Sequence, residues 1–178
     1  MRSTAPRTAP LTHRDALRGN NGGMHVSAKV DYAMRALLEM AAGREDDPTQ
    51  LFKGEVLAES QHIPPRFLEG ILRQLRQSGI VASRRGADGG YRLAKPPEQI
   101  FVADVFRALD GPLAEVRGDR PEAAIYEGPA ERLQDVWVAT RAALRGVLDH
   151  VSLADIANNT LPDTIVALTE APDAWSPR

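Results

Sequence analysis

Two adjacent prolines, Pro64 and Pro65, divide the middle of the chain into two helical segments. A proline disfavours helix in the residue before it and fits the first turn of a helix that follows it. The prolines therefore predict a short helix over about residues 53–61, a tight turn at Ile63, and a second helix that starts at the prolines.

The second helix has one apolar stripe. Apolar side chains recur in it at three- and four-residue spacing, at Leu68, Ile71, Leu72 and Leu75. This spacing is typical of a helix that buries one face, and it leaves Arg66, Arg73 and Arg76 largely on the other faces. A short helix, a tight turn and a helix with a basic exposed face form the helix-turn-helix layout, although many small helical bundles share it.

The next segment predicts a β-hairpin. Residues 80–85 and 91–95 are strand-like, and the glycine-rich run 86–90 joins them. Arg84, Arg85 and Arg92 lie at its base and tip. The glycines are interpreted both as an ordinary turn and as a device that keeps the tip narrow enough to approach another molecule.

The N-terminal part combines an arm with a helix. Residues 1–23 are rich in Ala, Pro, Arg and Thr, so we expect a disordered basic arm, and an over-extended reading frame with its true start at Met24 is an equal alternative. From Val26 to position 41 the apolar residues recur at helical spacing, with Ser27 able to cap the start of the helix and Gly43 its end.

The C-terminal half predicts a short helix over 100–109, a loop over 112–129, and a helix of about twenty residues from Pro129. A last short helix follows a capping box at Ser152, and residues 161–178 form a loose tail. The long helix has an unbroken stripe that needs a partner. The stripe consists of Leu133, Val136, Trp137, Thr140, Leu144, Val147, Leu148 and Val151.

The fold class is thus mainly α with a small β-hairpin wing. The helix-turn-helix and the hairpin cover 24–111, a loop covers 112–129, and the long helix and the short helix after it cover 130–160.

Charge is concentrated in one segment. The whole chain has a net charge of −2, yet residues 60–95 hold seven basic and two acidic side chains, a local charge of +5. Such a segment is typical of polyanion binding, and a solvated charged surface is the alternative.

The chain has no cysteine, which excludes disulfides, thiol nucleophiles and cysteine-ligated zinc or iron–sulfur sites. Its four histidines stand singly, without the spacing of metal ligands. We therefore expect no metal and no cofactor. With neither a signal sequence nor a run long enough to span a membrane, a cytoplasmic protein without membrane contact is expected.

Residues 31–41, 55–100 and 104–112 resemble the Rrf2 family of bacterial winged helix-turn-helix regulators. The most specific stretch reads IPxxFLExILxxLxxxGxVxSxRGxxGGYxL, and the resemblance covers roughly 24–160. It implies that 24–111 is a winged helix-turn-helix domain, that the loop 112–129 is of the effector type, and that 130–160 contains a dimerisation helix. The protein is then a homodimer in which the long helix pairs across the two-fold axis, with the apolar stripe from Leu133 to Val151 as the dimer interface. The second helix of each motif then enters a major groove of double-stranded DNA.

Carried over by position, the resemblance implies DNA contacts along the second helix and the wing. Arg66, Phe67, Glu69 and Gly70 would face bases, and Arg85 would reach into the minor groove beside Gly86, Gly89 and Gly90. Arg73, Arg84 and Tyr91 are weaker assignments. Core packing is the alternative for Phe67, and a solvated surface position is the alternative for Arg85.

The chain departs from the family in its effector region. Cluster-binding members carry three cysteines after the short fourth helix, whereas the corresponding loop here, 112–129, has none. The resemblance is therefore to the cluster-free branch, in which a small molecule, a partner protein or nothing modulates DNA binding. We expect any signal to act near Tyr126, Trp137 and Arg141.

The expected function is a sequence-specific DNA-binding repressor that acts as a homodimer on a pseudo-palindromic operator. An enzyme is disfavoured because the chain has no GxSxG, HExxH or Walker sequence. The other alternative is a winged-helix adaptor that binds proteins without operator binding, against which the basic wing and helix argue.

Overall fold

The computed structural model describes residues 26–44, 47 and 49–176, and the predicted arm 1–23 lies outside them. Within this part the helices are α1 (Ala28–Arg44), α2 (Gly54–Ser60), α3 (Pro65–Gln77), α4 (Val102–Leu109), α5 (Leu133–Leu148), α6 (Leu153–Ala157) and α7 (Asp163–Thr169). Strands β1 (Val81–Arg84) and β2 (Gly90–Leu93) form the hairpin, here called the wing. The mainly helical fold class with a β-hairpin is confirmed.

The apolar stripe of α3 fixes the core. Each of its side chains is at most 1% exposed, and together they pack with buried residues of α1, α2 and α4. The periodicity read from the sequence is therefore confirmed. Leu153 of α6 joins the same core because α6 packs against α1.

The sequence predicts the start of α1 correctly but not its end. Ser27 caps the start as predicted, since its Oγ accepts a hydrogen bond from the Val30 amide at 3.2 Å. Gly43, however, does not end the helix, which continues to Arg44. A Cβ at position 43 would lie 2.5 Å from Cζ of Phe52, so this glycine makes room for the Phe52 ring.

The wing is tied to the rest of the domain by a third backbone segment. Strand β1 pairs with β2 in antiparallel register from Val81 opposite Leu93 to Arg84 opposite Gly90. The amides of Phe52 and Tyr91 each donate to the other's carbonyl oxygen at 2.8 Å. The wing therefore projects from the core with its base held on two sides.

The C-terminal third departs from the sequence expectations in two places. The long helix starts at Leu133 instead of at Pro129, because Gly128–Ala130 forms a separate 3-10 turn in which Gly128 has a φ of 60°. The expected tail contains the helix α7, which Ile165 anchors with 8% of its surface exposed.

The capping box before α6 is present. The Asp155 amide donates to Ser152 Oγ at 3.1 Å, and the Ser152 amide donates to Asp155 Oδ2 at 2.8 Å. No helix in the described part of the chain has the length and apolar composition required to cross a membrane.

Gly90→Ala should destabilise the fold by about 1–3 kcal/mol, because the new Cβ would overpack a rigid site. It would lie 2.7 Å from the carbonyl oxygen of Phe52, which is backbone. Gly70→Ala is the control: it adds a methyl group where nothing lies within 4 Å, and it should stabilise α3 by about 0.5–1 kcal/mol. Chemical denaturation measures both, and a stable Gly90→Ala variant would contradict this account of the wing.

Candidate nucleic-acid interface

One side of α3 is charged and open. Arg66, Glu69, Gly70 and Arg73 follow each other at three- and four-residue spacing, so they share a face opposite the buried stripe. This set is called the recognition face below. Its three charged side chains are exposed, and the described residues form no ion pair with them. Their charges are therefore available to an external partner.

Phe67 lies beside the recognition face in the first turn of α3. Its side chain is 44% exposed, and its ring meets the ring of Tyr32 edge to face, with centroids 5.7 Å apart and planes at 85°. The ring is therefore packed within the domain on one side and exposed on the other. Tyr32 has no local sequence signal for this contact, because the apolar spacing of α1 indicates only its buried positions.

Arg35 joins this aromatic pair to the turn of the motif. Its guanidinium carbon lies 5.6 Å from the Tyr32 centroid, and its Nη2 donates to the carbonyl oxygen of Gln61. Gln61 in turn donates from Nε2 to Glu39 Oε2 at 2.6 Å. Polar side chains of α1 therefore hold the turn that leads into α3.

The tip of the wing is stabilised by three contacts. Arg84 donates to the carbonyl oxygen of Asp88 at 3.0 Å, Lys53 donates to that of Ala87, and the Gly89 amide donates to that of Gly86 at 3.0 Å. The Arg84 side chain thus stabilises the wing itself, in addition to any contact with DNA. Lys53 was not anticipated from the sequence.

The wing residues proposed for DNA contact fall into two groups. Arg85 and Gly86 are exposed, and nothing lies within 4 Å of a Cβ built at Gly86. Gly89 and Gly90, by contrast, are required by the packing of the domain itself. A Cβ at Gly89 would lie 2.2 Å from the Arg84 carbonyl oxygen, and one at Gly90 would lie 2.7 Å from the Phe52 carbonyl oxygen. Tyr91 is half-buried and packs on the core.

Helix α5 has no fully buried residue. Six predicted interface residues are half-buried, namely Leu133, Trp137, Thr140, Leu144, Val147 and Leu148, while Val136 is 51% exposed. Val151 must be removed from this set. It is 6% exposed, and its carbonyl oxygen accepts from the Val102 amide at 2.9 Å, so it is buried within the single chain.

The loop 112–129 packs along α5. Arg141 forms an ion pair with Glu122 at 2.6 Å, and the hydrogen bond from Arg141 lowers the pKa of the Glu122 carboxyl. The guanidinium carbon of Arg117 lies 5.8 Å from the Tyr126 ring centroid. Trp137 Nε1 is buried here with no hydrogen-bond partner among the residues described.

An ion-pair cluster connects α4 to the end of α5. Asp149 accepts from Arg107 at 2.5 Å and from Arg145 at 2.9 Å. Burial acts to raise the pKa of Asp149, but the hydrogen bonds from Arg145 and Arg107 outweigh it and hold the pKa below its ordinary value. The carboxylate therefore links the winged domain to the long helix.

Asp149→Asn should lower the melting temperature at pH 7, and the difference from wild type should disappear as the pH falls. A lowered pKa in the folded state adds stability above the unfolded-state value, about 3.9, and that stability is lost as the pH falls through the folded-state pKa. Thermal melts between pH 7 and about pH 3 measure this. Asp88→Asn is the control, and a pH-independent difference in Asp149→Asn would contradict the ion-pair explanation.

Comparison with known proteins shows which family the chain belongs to. Residues 26–159 match the model of the Rrf2 family, described as an iron-dependent transcriptional regulator. A protein of Mycobacterium tuberculosis H37Rv, provisionally named an HTH-type transcriptional regulator, is 44% identical over 151 residues, covering 83% of this chain and 89% of the relative. The HTH-type transcriptional regulator CymR of Bacillus subtilis is 34% identical, covering 77% and 92%.

The fold matches solved structures of the same kind. The structure of CymR, the global cysteine regulator of B. subtilis, superposes with a TM-score of 0.64 at 31% identity, over 78% of this chain and 99% of that one. The T. potens IscR structure gives a TM-score of 0.59 at 29% identity, over 77% and 88%. Both support the assignment of the wing and the helix-turn-helix.

The donor set does not fit the iron that the family description implies. The chain contains no cysteine. The described residues also hold no group of three or more His, Asp or Glu side chains placed to bind a metal ion. A cysteine-ligated cluster therefore has no ligands in this chain.

Proposed function

The chain belongs to the Rrf2 family of transcriptional regulators, and on this basis we propose that it is a homodimeric repressor of a pseudo-palindromic operator. The observation that carries this proposal is the pairing of two exposed basic elements, the recognition face and Arg85. Both belong to one domain, whose core contains residues of α3 and of both wing strands. Contact with two adjacent grooves of a duplex requires two such exposed elements.

In this proposal α3 enters the major groove. Residues near the N-terminus of a recognition helix contact base edges, so Arg66 and Glu69 read bases while Arg73 contacts phosphate. Arg85 at the wing enters the adjacent minor groove, where a guanidinium gains from the negative potential of narrow, A·T-rich sequence. The wing thus reads the shape of the DNA.

The long helix supports the dimer. A helix of 16 residues without one buried side chain leaves its apolar stripe, from Leu133 to Leu148, to be covered by another surface. The same stripe on a second copy is the simplest cover, since a two-fold interface is self-complementary. The two recognition faces then lie about one helical turn of DNA apart.

The two other functional classes have less support. The relatives are transcriptional regulators, which excludes the enzyme alternative. An adaptor without operator binding would have no use for unpaired arginines on α3 and the wing. Repression follows if the dimer covers DNA that the transcription machinery must reach.

We further propose that the protein regulates without an iron–sulfur cluster. The missing thiolates support this. The loop 112–129 is joined to α5 by the ion pair between Glu122 and Arg141, and any signal would act near Tyr126, Trp137 and Arg141. A small molecule or a partner protein that prefers one dimer geometry would change the DNA affinity there.

Arg85→Ala should weaken specific binding by about 1–3 kcal/mol, the usual cost of losing one arginine that reads a groove. The operator is first selected from a random duplex library, and dissociation constants are then measured by electrophoretic mobility at two salt concentrations. Arg120→Ala removes the same charge from an exposed loop position and should have little effect. If no sequence is enriched from the library, the protein is the adaptor and the proposed function is wrong.

Leu144→Asp should convert the dimer to monomer, because an unpaired carboxylate would be buried in the proposed dimer interface. Sedimentation measures the mass, and circular dichroism checks that the variant remains helical. Ala142→Asp places the same charge on the opposite, exposed side of α5 and should remain dimeric. A dimeric Leu144→Asp variant would move the interface elsewhere.

Purified protein should be colourless and should bind its operator with an affinity that a chelator does not change. The reason is that a cluster requires soft anionic ligands, which the chain lacks. Absorption spectroscopy, iron analysis and the mobility assay test this together. Stoichiometric iron with a visible absorption band would overturn the proposal.

A further inference from the structure

Phe67 is the one large apolar side chain of α3 that is exposed in the described part of the chain. The helix buries its other large apolar residues almost completely, so the exposure of Phe67 is not explained by a shortage of core positions. It lies between the charged Arg66 and the buried Leu68, at the end of the helix that recognition helices present to bases. An apolar ring here is free to serve an external contact.

Side chains of α1 restrict the orientation of the Phe67 ring. Tyr32 meets it edge to face, Arg35 lies over the Tyr32 ring, and Arg35 is itself fixed by the Gln61 carbonyl oxygen and by Asp31 at 3.7 Å. An edge-to-face pair restricts the ring without covering it. Phe67 is therefore rigid on one side and open on the other, which reduces the entropy lost when it makes a contact.

Gly70 leaves the space beside the ring empty. It lies three residues after Phe67, which makes the two positions neighbours on the helix surface. A Cβ at position 70 would meet nothing within 4 Å, so no side chain of this domain screens that approach. Because glycine weakens an exposed helix, its position here is accounted for by close approach of another molecule.

We propose that the Phe67 ring contacts the C5-methyl group of a thymine in the major groove and so selects a T·A pair at one fixed position of each half-site. This inference rests on the proposed function and specifies what the recognition face reads. In the major groove only thymine presents a methyl group, next to its O4 acceptor. Guanine and adenine present hydrogen-bonding groups that phenylalanine cannot satisfy, and cytosine presents an N4 donor and lacks the methyl group. Burial of a hydrogen-bonding group against the ring is unfavourable, which gives selectivity.

The test removes the methyl group and nothing else. In the operator selected from the random library, each thymine is replaced in turn by deoxyuridine, and the dissociation constant is measured for the wild-type protein. Substitution at one position, which symmetry repeats in the two half-sites, should lower the affinity about fourfold. This factor corresponds to the burial free energy of one methyl or methylene group. Phe67→Ala should bind more weakly and should show no loss at that position.

Matched variants separate this contact from general effects. Arg73→Ala should weaken binding to every duplex yet keep the fourfold sensitivity to deoxyuridine. Phe67→Leu retains an apolar side chain and should therefore keep part of the sensitivity to deoxyuridine. Melting temperatures show whether each variant is folded. Tyr32→Ala should reduce the sensitivity because the ring is no longer oriented.

The outcomes are distinguishable. If an operator is selected but no deoxyuridine substitution affects the wild-type protein, the methyl contact is wrong and the proposed function stands. If Phe67→Ala keeps the full sensitivity, another residue makes the contact and the proposal is overturned. If no operator is selected, the proposed function itself has failed.

Discussion

The burial of the α3 stripe is the interaction on which the rest of the structure depends. Leu68, Ile71, Leu72 and Leu75 are almost inaccessible to solvent, and burying each contributes about 1.5–3 kcal/mol. An exposed ion pair contributes about 0–1 kcal/mol, so apolar packing and not surface charge sets how α3 is rotated about its axis. That rotation places Arg66, Glu69, Gly70 and Arg73 together on the open side. The charged surface is thus a consequence of the core.

Helix α1 is the second determinant of how α3 is positioned. It packs against α3 and the turn before it, although none of its residues belongs to the recognition face. Its apolar side covers the α3 stripe, while Tyr32, Arg35 and Glu39 meet Phe67 and the turn at Gln61. These contacts are partly exposed, so each contributes little free energy. Their effect is on position: they restrict the entry of α3 and the ring of Phe67 in a region where small displacements matter to a partner.

Local patterns predicted the winged domain well, and long-range packing accounts for what they missed. The prolines, the stripe and the capping box act within a few residues, and all three are confirmed. Gly43 was assigned to a helix end because its contact with Phe52, nine positions away, has no local signal. Val151 continues the spacing of α5 in sequence, but the helix ends before Asp149. Val151 is buried elsewhere in the chain, where its carbonyl oxygen accepts from the Val102 amide.

The connection between α5 and the winged domain constrains any regulation of DNA binding. Loop 112–129 is fixed to α5 through Glu122 and Arg141, and α5 is fixed to α4 through Asp149 and Arg107. Helix α4 contributes Val105 and Leu109 to the core that α3 shares. A ligand at the loop would therefore affect the recognition face through a shift of α5 against α4. In the proposed dimer, such a shift would change the spacing of the two α3 helices and therefore their fit to the fixed groove spacing of a duplex.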